Sequence, residues 1–146
     1  MNTIQIEKIF EKYPTFKSVL AFDQLPTKIY PPAAYIINTH TSEKAGEHWL
    51  AINYTKTGSV EFFDSYGLGP KFYGLDSFLI KTSKKCFYNT IALQSKTSNF
   101  CGFYCVLFIL SRLKKVSFYN FLKLFDKSSI KNDKQLENLI KNNFIQ

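Results

Sequence analysis

Apolar residues recur at helical spacing near the start of the chain, with Ile4, Ile6, Ile9 and Phe10 set against Glu7, Lys8, Glu11 and Lys12. This pattern predicts an amphipathic helix over 3–12 that Pro14 ends. Pro26, Pro31 and Pro32 make 23–33 an irregular connection. Apolar runs then predict strands near 34–38, 48–54 and 59–64, the last two joined by a turn at Lys56-Thr57-Gly58. Gly67, Gly69, Pro70 and Gly74 mark a loop, Leu75 to Ile80 reads as a short helix, and Cys86 to Leu93 as a strand. From Phe103 to Leu110 nearly every residue is apolar, so a helix over 101–114 belongs in the centre, polar only at Arg112, Lys114 and Lys115. Ser98 or Asn99 is its expected N-cap. Amphipathic helices follow at 117–126 and 133–143, the last opened by Asp133 as N-cap or first-turn acid. The order describes an α+β protein of one domain, residues 1–146, with no repeat, linker or apolar segment of membrane-spanning length.

The central helix begins at Cys101, where free amide N–H groups and the positive end of the helix dipole favour a thiolate. A nucleophilic cysteine needs a base and a group to orient that base. Of the two histidines, His40 lies just past the run Tyr35-Ile36-Ile37 and reads as a loop residue, whereas His48 opens a strand. Asp64 follows sixteen residues later, at the end of the next strand. If the two strands pair through the turn at 56–58, His48 and Asp64 meet at one sheet edge. Gln94 stands seven residues before Cys101, completing the order His, Asp, Gln, Cys. Each residue also has an inert reading: Cys101, Cys86 and Cys105 as small core hydrophobes, His48 as a structural histidine, Asp64 as a cap on the turn Ser65 to Gly67, Gln94 as a surface residue. Asn53 and Glu47 are alternative orienting groups for His48.

Cysteine usage bears on compartment. Three cysteines, an odd number, with no secretory signal at the N-terminus, fit a reducing compartment and an unsecreted protein. No CxxC or HxxxH pair is present, so no metal site is expected. The net charge of +8, from 19 basic and 11 acidic residues, permits attraction to nucleic acid or acidic partners. Arg112 is the only arginine, which tempers that reading, because lysines contact phosphate as point charges. The abundance of Lys, Asn, Ile and Phe is what an AT-rich genome produces.

Ile36-Ile37-Asn38-Thr39, Gly46-x-His48-Trp49, the acid at Asp64, Gln94 and Cys101-Gly102-Phe103-Tyr104-Cys105 together resemble the adenovirus protease (adenain) family, in order and spacing from about residue 16 to 110. The stretch Phe16 to Pro26 resembles the N-terminal segment of adenain-like proteases of viruses and virus-like mobile elements. The same order of residues recurs in the related SUMO and ubiquitin-like deconjugating proteases. The resemblance implies a papain-like fold, a small mixed β-sheet flanked by helices with the cysteine helix in the centre. It implies Cys101 as nucleophile, His48 as base then acid, Asp64 as orienting acid and Gln94 as oxyanion donor, with Trp49 over the site and Gly46, Glu47 and Gly102 lining the substrate cleft. Adenain itself carries glutamate where this chain has Asp64; many deconjugating relatives carry aspartate. The implied function is a cysteine endopeptidase that cleaves viral capsid or core precursors near small, glycine-rich sites during maturation, acting as a monomer in the virion and infected cell. DNA and a capsid-derived peptide are the activators the family implies. In some members a cysteine binds that peptide through a disulfide, but the offset of Cys86 from Cys101 does not match that position. The alternatives are a SUMO or ubiquitin-like deconjugating protease, and a catalytically idle module that binds DNA or a capsid protein.

Overall fold

Strand and helix alternate as the apolar runs demand, and in the computed structural model, which describes residues 1–40 and 48–143, five strands form one mixed sheet in the order β1-β2-β3-β4-β5. They are β1 (Phe16–Ala21), β2 (Ala33–Asn38), β3 (Trp49–Tyr54), β4 (Val60–Phe63) and β5 (Cys86–Tyr88). β2, β3 and β4 form an antiparallel meander, and β1 and β5 add to its two sides in parallel. The helices are α1 (Thr3–Ile9), α2 (Asp76–Thr82), α3 (Cys101–Leu113), α4 (Phe118–Lys123) and α5 (Ser129–Asn143).

Side chains alternate across the pleat, and each face of the sheet has its own core. Ala34, Ile36, Ala51 and Phe63 pack on Tyr104, Cys105, Phe108 and Ile109 of α3, with α1, α4 and α5 closing around that helix. Ile37, Leu50, Ile52 and Phe62 point the other way, onto Leu75 and Leu79 beside and within α2. The cysteine helix therefore lies against the central strand β3, buried along most of its length. Its last turn closes by a Schellman pair, Val116 N–H to the Ser111 carbonyl at 2.9 Å and Lys115 N–H to the Arg112 carbonyl at 3.0 Å, with Lys115 left-handed at φ 67°. Below it, Arg112 Nε donates to Glu61 on β4 at 2.7 Å, and Asn53 on β3 donates to the same oxygen at 2.8 Å.

Several boundaries differ from those expected of the sequence. β1 was not anticipated: its residues are mostly half-buried, and an irregularity between Phe16 and Ser18 breaks the alternation. The strand expected over 86–93 ends at Tyr88, because the backbone N–H groups of Leu93 and Gln94 turn back to the Ser65 carbonyl instead of extending a ladder. The N-cap of α3 is Phe100, with no side-chain cap, so neither Ser98 nor Asn99 takes that role. Asp133 is not the start of α5, which begins four residues earlier at Ser129. His48 and Asp64 do not lie at a lateral edge of the sheet; they stand where the two interior strands β3 and β4 end and begin their loops.

Candidate active site

β3 and β4 pair with Ala51 opposite Phe63, so the residues just before β3 and just after β4 fall side by side at one end of the hairpin. His48 is held there by its carbonyl, which accepts from Thr39 N–H at 2.9 Å, and its Nε2 meets Asp64 Oδ1 at 2.7 Å. Asp64 is fully buried. Its carboxylate accepts from Tyr66 N–H at 3.0 Å, Leu68 N–H at 3.1 Å and the Tyr73 hydroxyl at 2.7 Å, besides His48. The same residue thus caps the turn after β4 and holds the imidazole. Asn89 brackets its backbone, accepting from Asp64 N–H at 3.1 Å and donating to the Asp64 carbonyl at 2.7 Å. Of the alternative orienting groups, Asn53 is committed to Glu61, and Glu47 lies outside the described residues, as does Gly46.

Cys101 is the other neighbour of the imidazole, and the side chains of Cys101 and His48 shift one another. Burial by itself pushes the Cys101 thiol up, but the bond to His48, the backbone groups of Trp49 and Gly102 and the nearby imidazole charge together bring it below its ordinary value. Burial likewise disfavours a charged His48, yet the bonds to Asp64 and Cys101 outweigh it and raise the imidazole to about 9. The two shifts run in opposite senses, and each favours the charged form of its group. Cys105, one turn deeper, donates to the Trp49 carbonyl at 3.3 Å, and complete burial drives its thiol well up. Cys86 is half-buried and also raised by burial.

Gln94 is buried, not a surface residue. Its side-chain oxygen accepts from the Ser65 hydroxyl and its Nε2 donates to the Ser98 carbonyl at 2.9 Å, which fixes which end of the amide faces which way. One N–H of the amide remains beyond that bond. Trp49 packs over the start of α3: a Cβ on Gly102 would lie 3.2 Å from the indole Cδ1 and 3.5 Å from the Met1 Cβ. A side chain at 102 would crowd that space, which suits glycine. His40 has its N–H bonded to Asn38 Oδ1 at 2.9 Å and its carbonyl to Phe22 N–H at 3.0 Å. Among the described residues, no group of three or more His, Cys, Asp and Glu side chains is placed to hold a metal ion.

Sequence reasoning passed over Tyr66 and Tyr73. The Tyr66 ring stacks on His48 at 4.6 Å between centroids and 25° between planes, and the Tyr73 ring lies 5.9 Å away at 26°. They come from the segment read as a glycine-rich loop; the available signal was two tyrosines amid Gly67, Gly69 and Gly74. Ser65 and Asn89 were missed as well, since a side chain bonded to one distant residue, Gln94 for Ser65 and the Asp64 backbone for Asn89, leaves no periodic trace.

A protein-family model of adenovirus endoproteases matches residues 21–136. The chain is 25% identical to the uncharacterized protein V9 of Sputnik virophage over 130 aligned residues, covering 76% of this chain and 73% of that protein. It is 29% identical over 91 residues to the protease of Bovine adenovirus C serotype 10, covering 53% of this chain and under half, 46%, of that protease. The family match encloses His48, Asp64, Gln94 and Cys101 together with the strands and helix that carry them, and the chain belongs to the adenovirus endoprotease family.

Proposed function

We propose that this chain is a cysteine endopeptidase acting on viral precursor proteins, with Cys101 as nucleophile, His48 as proton carrier, Asp64 as the acid that orients it and Gln94 as an oxyanion donor. The observation that carries the reading is the fully buried Asp64 bonded to His48 at 2.7 Å, with Cys101 beside that imidazole at the first turn of α3. In the reaction the Cys101 thiolate attacks the scissile carbonyl carbon. The oxygen takes the electron pair and is met by the remaining Gln94 N–H and by Cys101 N–H, donors worth typically about 3 kcal/mol each. The C–N bond then breaks, His48 gives its proton to the leaving amine, and a thioester remains on Cys101. Water, deprotonated by His48, attacks the thioester; the C–S bond breaks, the acid leaves, and the Cys101 thiolate and protonated His48 are restored.

Substrate preference follows from the cleft. Trp49 over Gly102 leaves little width beside the nucleophile, which favours glycine and other small residues by excluding side chains. The setting is the assembling particle or infected cell, in keeping with the viral origin of both similar proteins. Among the described residues no helix is long and apolar enough to cross a membrane. A net charge of +8 supports a salt-sensitive DNA contact as part of activation, and a capsid-derived peptide is the second activator of this reading.

The test is cleavage of a Gly-Gly-containing fluorogenic peptide by wild type and Cys101→Ala, with and without added DNA. Cleavage that disappears in the variant is expected, and stimulation by DNA at low salt that fades as salt rises. Cleavage by Cys101→Ala at the wild-type rate overturns the mechanism. A folded wild type that cleaves nothing and whose Cys101 resists alkylation at neutral pH favours a binding module. Release of a folded ubiquitin-like protein in preference to a precursor peptide favours the deconjugating reading.

A further inference from the structure

Residues 89–98 carry Gln94 but belong to no strand or helix, so whatever positions that amide must reach in from elsewhere. On one side Ser65 supplies its carbonyl to Leu93 N–H at 2.8 Å and to Gln94 N–H at 3.0 Å, and its hydroxyl to the Gln94 side chain. The other side is held by α5. Asn132 Nδ2 donates to the Leu93 carbonyl at 3.1 Å, and Asp133 Oδ2 accepts from Ser95 N–H at 3.1 Å, so the residues immediately before and after Gln94 are each tied to this helix. Asp133 Oδ1 accepts from the Tyr104 hydroxyl at 2.8 Å, and Tyr104 stands on α3 three residues after Cys101. The Asp133 carboxylate therefore joins the loop of Gln94 to the helix of Cys101.

These groups are not placed for packing. Asn132 is 1% and Asp133 8% exposed, and a carboxylate taken that far from water is costly unless donors meet it. The donors that do so are a backbone N–H beside Gln94 and a phenol on the nucleophile's helix. Resting on the function proposed above, we propose that Asp133, supported by Asn132 and Tyr104, is a positioning residue that holds the Gln94 amide at its distance from Cys101 and thereby sets the oxyanion site. A donor displaced by about 1 Å loses much of its effect, up to roughly a hundredfold in rate.

The experiment compares wild type, Asp133→Ala, Asp133→Asn and Gln94→Ala in three measurements: peptide cleavage, alkylation of Cys101 by iodoacetamide, and amide hydrogen exchange at Ser95. Asp133→Ala is expected to lower kcat about tenfold to a hundredfold with KM within about twofold, as expected for a group acting on the transition state through Gln94. Alkylation of Cys101, which needs the thiolate and not the oxyanion site, stays within about twofold of wild type. Asp133→Asn restores most of kcat, because its amide oxygen still accepts from Ser95 N–H while the Tyr104 hydroxyl reverses to accept from the amide nitrogen. Gln94→Ala together with Asp133→Ala costs little more than either alone.

Alkylation falling in step with kcat in Asp133→Ala overturns the proposal, since the residue then supports the whole site. A kcat unchanged in Asp133→Ala overturns it too. Should wild type cleave nothing, the proposed function fails and with it the catalytic role of the clamp. Hydrogen exchange still reads the clamp itself in that event: Ser95 N–H exchanging faster in Asp133→Ala at an unchanged melting temperature supports it, and unchanged exchange overturns it. Should Asp133→Ala not fold, Asn132→Ser, which releases the Leu93 carbonyl and the backbone N–H and carbonyl of Asp126 but leaves Asp133 in place, carries the same expectations at smaller size.

Discussion

Asp64→Asn removes one negative charge from the site while keeping its shape, and its effect is expected in the high-pH limb of activity. In the folded protein His48 is raised from 6.5 to about 9, against the opposing effect of its own burial, with Asp64 the leading cause of the rise. A rise of that size corresponds to about 3 kcal/mol, or a few hundredfold in the equilibrium between charged and neutral imidazole. Without the carboxylate charge the imidazole falls toward its ordinary value or below it, since burial then meets less opposition. At pH 7.5 the protonated fraction drops from nearly all to about a tenth or less, and kcat/KM is expected to fall on the order of a hundredfold. The assay is the pH dependence of Cys101 alkylation, located by peptide mass, beside the pH profile of cleavage. In wild type both should rise below the ordinary thiol value, alkylation then staying high while cleavage closes near pH 9; in Asp64→Asn the closing limb of cleavage should move below about pH 7.

Thermal unfolding gives an independent reading of the same change. Because the folded value of His48 lies above its unfolded value, its contribution to stability is full below about pH 6.5 and disappears as pH rises through about 9. That slope should be present in wild type and lost in Asp64→Asn. The variant also turns an amide group toward Leu68 N–H or Tyr66 N–H, leaving one buried donor without an acceptor at a cost of about 1–3 kcal/mol. A variant that keeps its closing limb near pH 9 refutes the reasoning, because the carboxylate would then not be what holds the imidazolium.

Three further substitutions probe the frame around the site. Gly67 has φ +72° and a Cβ there would lie 2.6 Å from the Ile91 backbone carbon, so Gly67→Ala is expected to cost at least about 2 kcal/mol in urea unfolding and to lower cleavage by shifting the segment that leads to Gln94. Gly102→Ala brings a methyl 3.2 Å from the Trp49 ring; its stability should stay within about 1 kcal/mol of wild type, since helix propensity gains offset crowding, while KM for a Gly-Gly peptide rises several-fold. Arg112→Ala leaves Glu61 buried with Asn53 alone, an expected loss of about 2–3 kcal/mol seen as a fall in melting temperature of roughly 4–10 °C, with peptide cleavage below that temperature little changed.

The catalytic geometry proposed here was legible because its spacing is carried by local structure. A hairpin turning at Lys56-Thr57-Gly58 puts residues 48 and 64 together whatever the rest of the chain does, and an apolar run announces the helix that begins at Cys101. What surrounds that line was not legible. Tyr73 reaches Asp64 from a short 3-10 turn, Asn89 from the end of β5, and neither contact leaves a period in the sequence. Asp133 read as a helix start because an acid ahead of an apolar stripe fits that position; its side chain goes instead to Ser95 and Tyr104, a tertiary use of the same chemistry. β1 lies at one side of the sheet with half-buried residues, and an irregular register there erases the alternation that marks a strand.

Trp49 is the only tryptophan of the chain and stands half-buried against Gly102, next to Cys101 and His48. Intrinsic fluorescence excited at the red edge of aromatic absorption, where the nine tyrosines are silent, therefore reports from the surroundings of His48 and Gly102 and nowhere else. On the function proposed above, entry of a peptide dries and crowds the indole. Titration of the neighbouring imidazole changes the charge beside it, and unfolding exposes it to water. One unlabelled protein thus carries its own optical probe of occupancy, protonation and integrity, each distinguishable by whether emission follows peptide concentration, pH or denaturant.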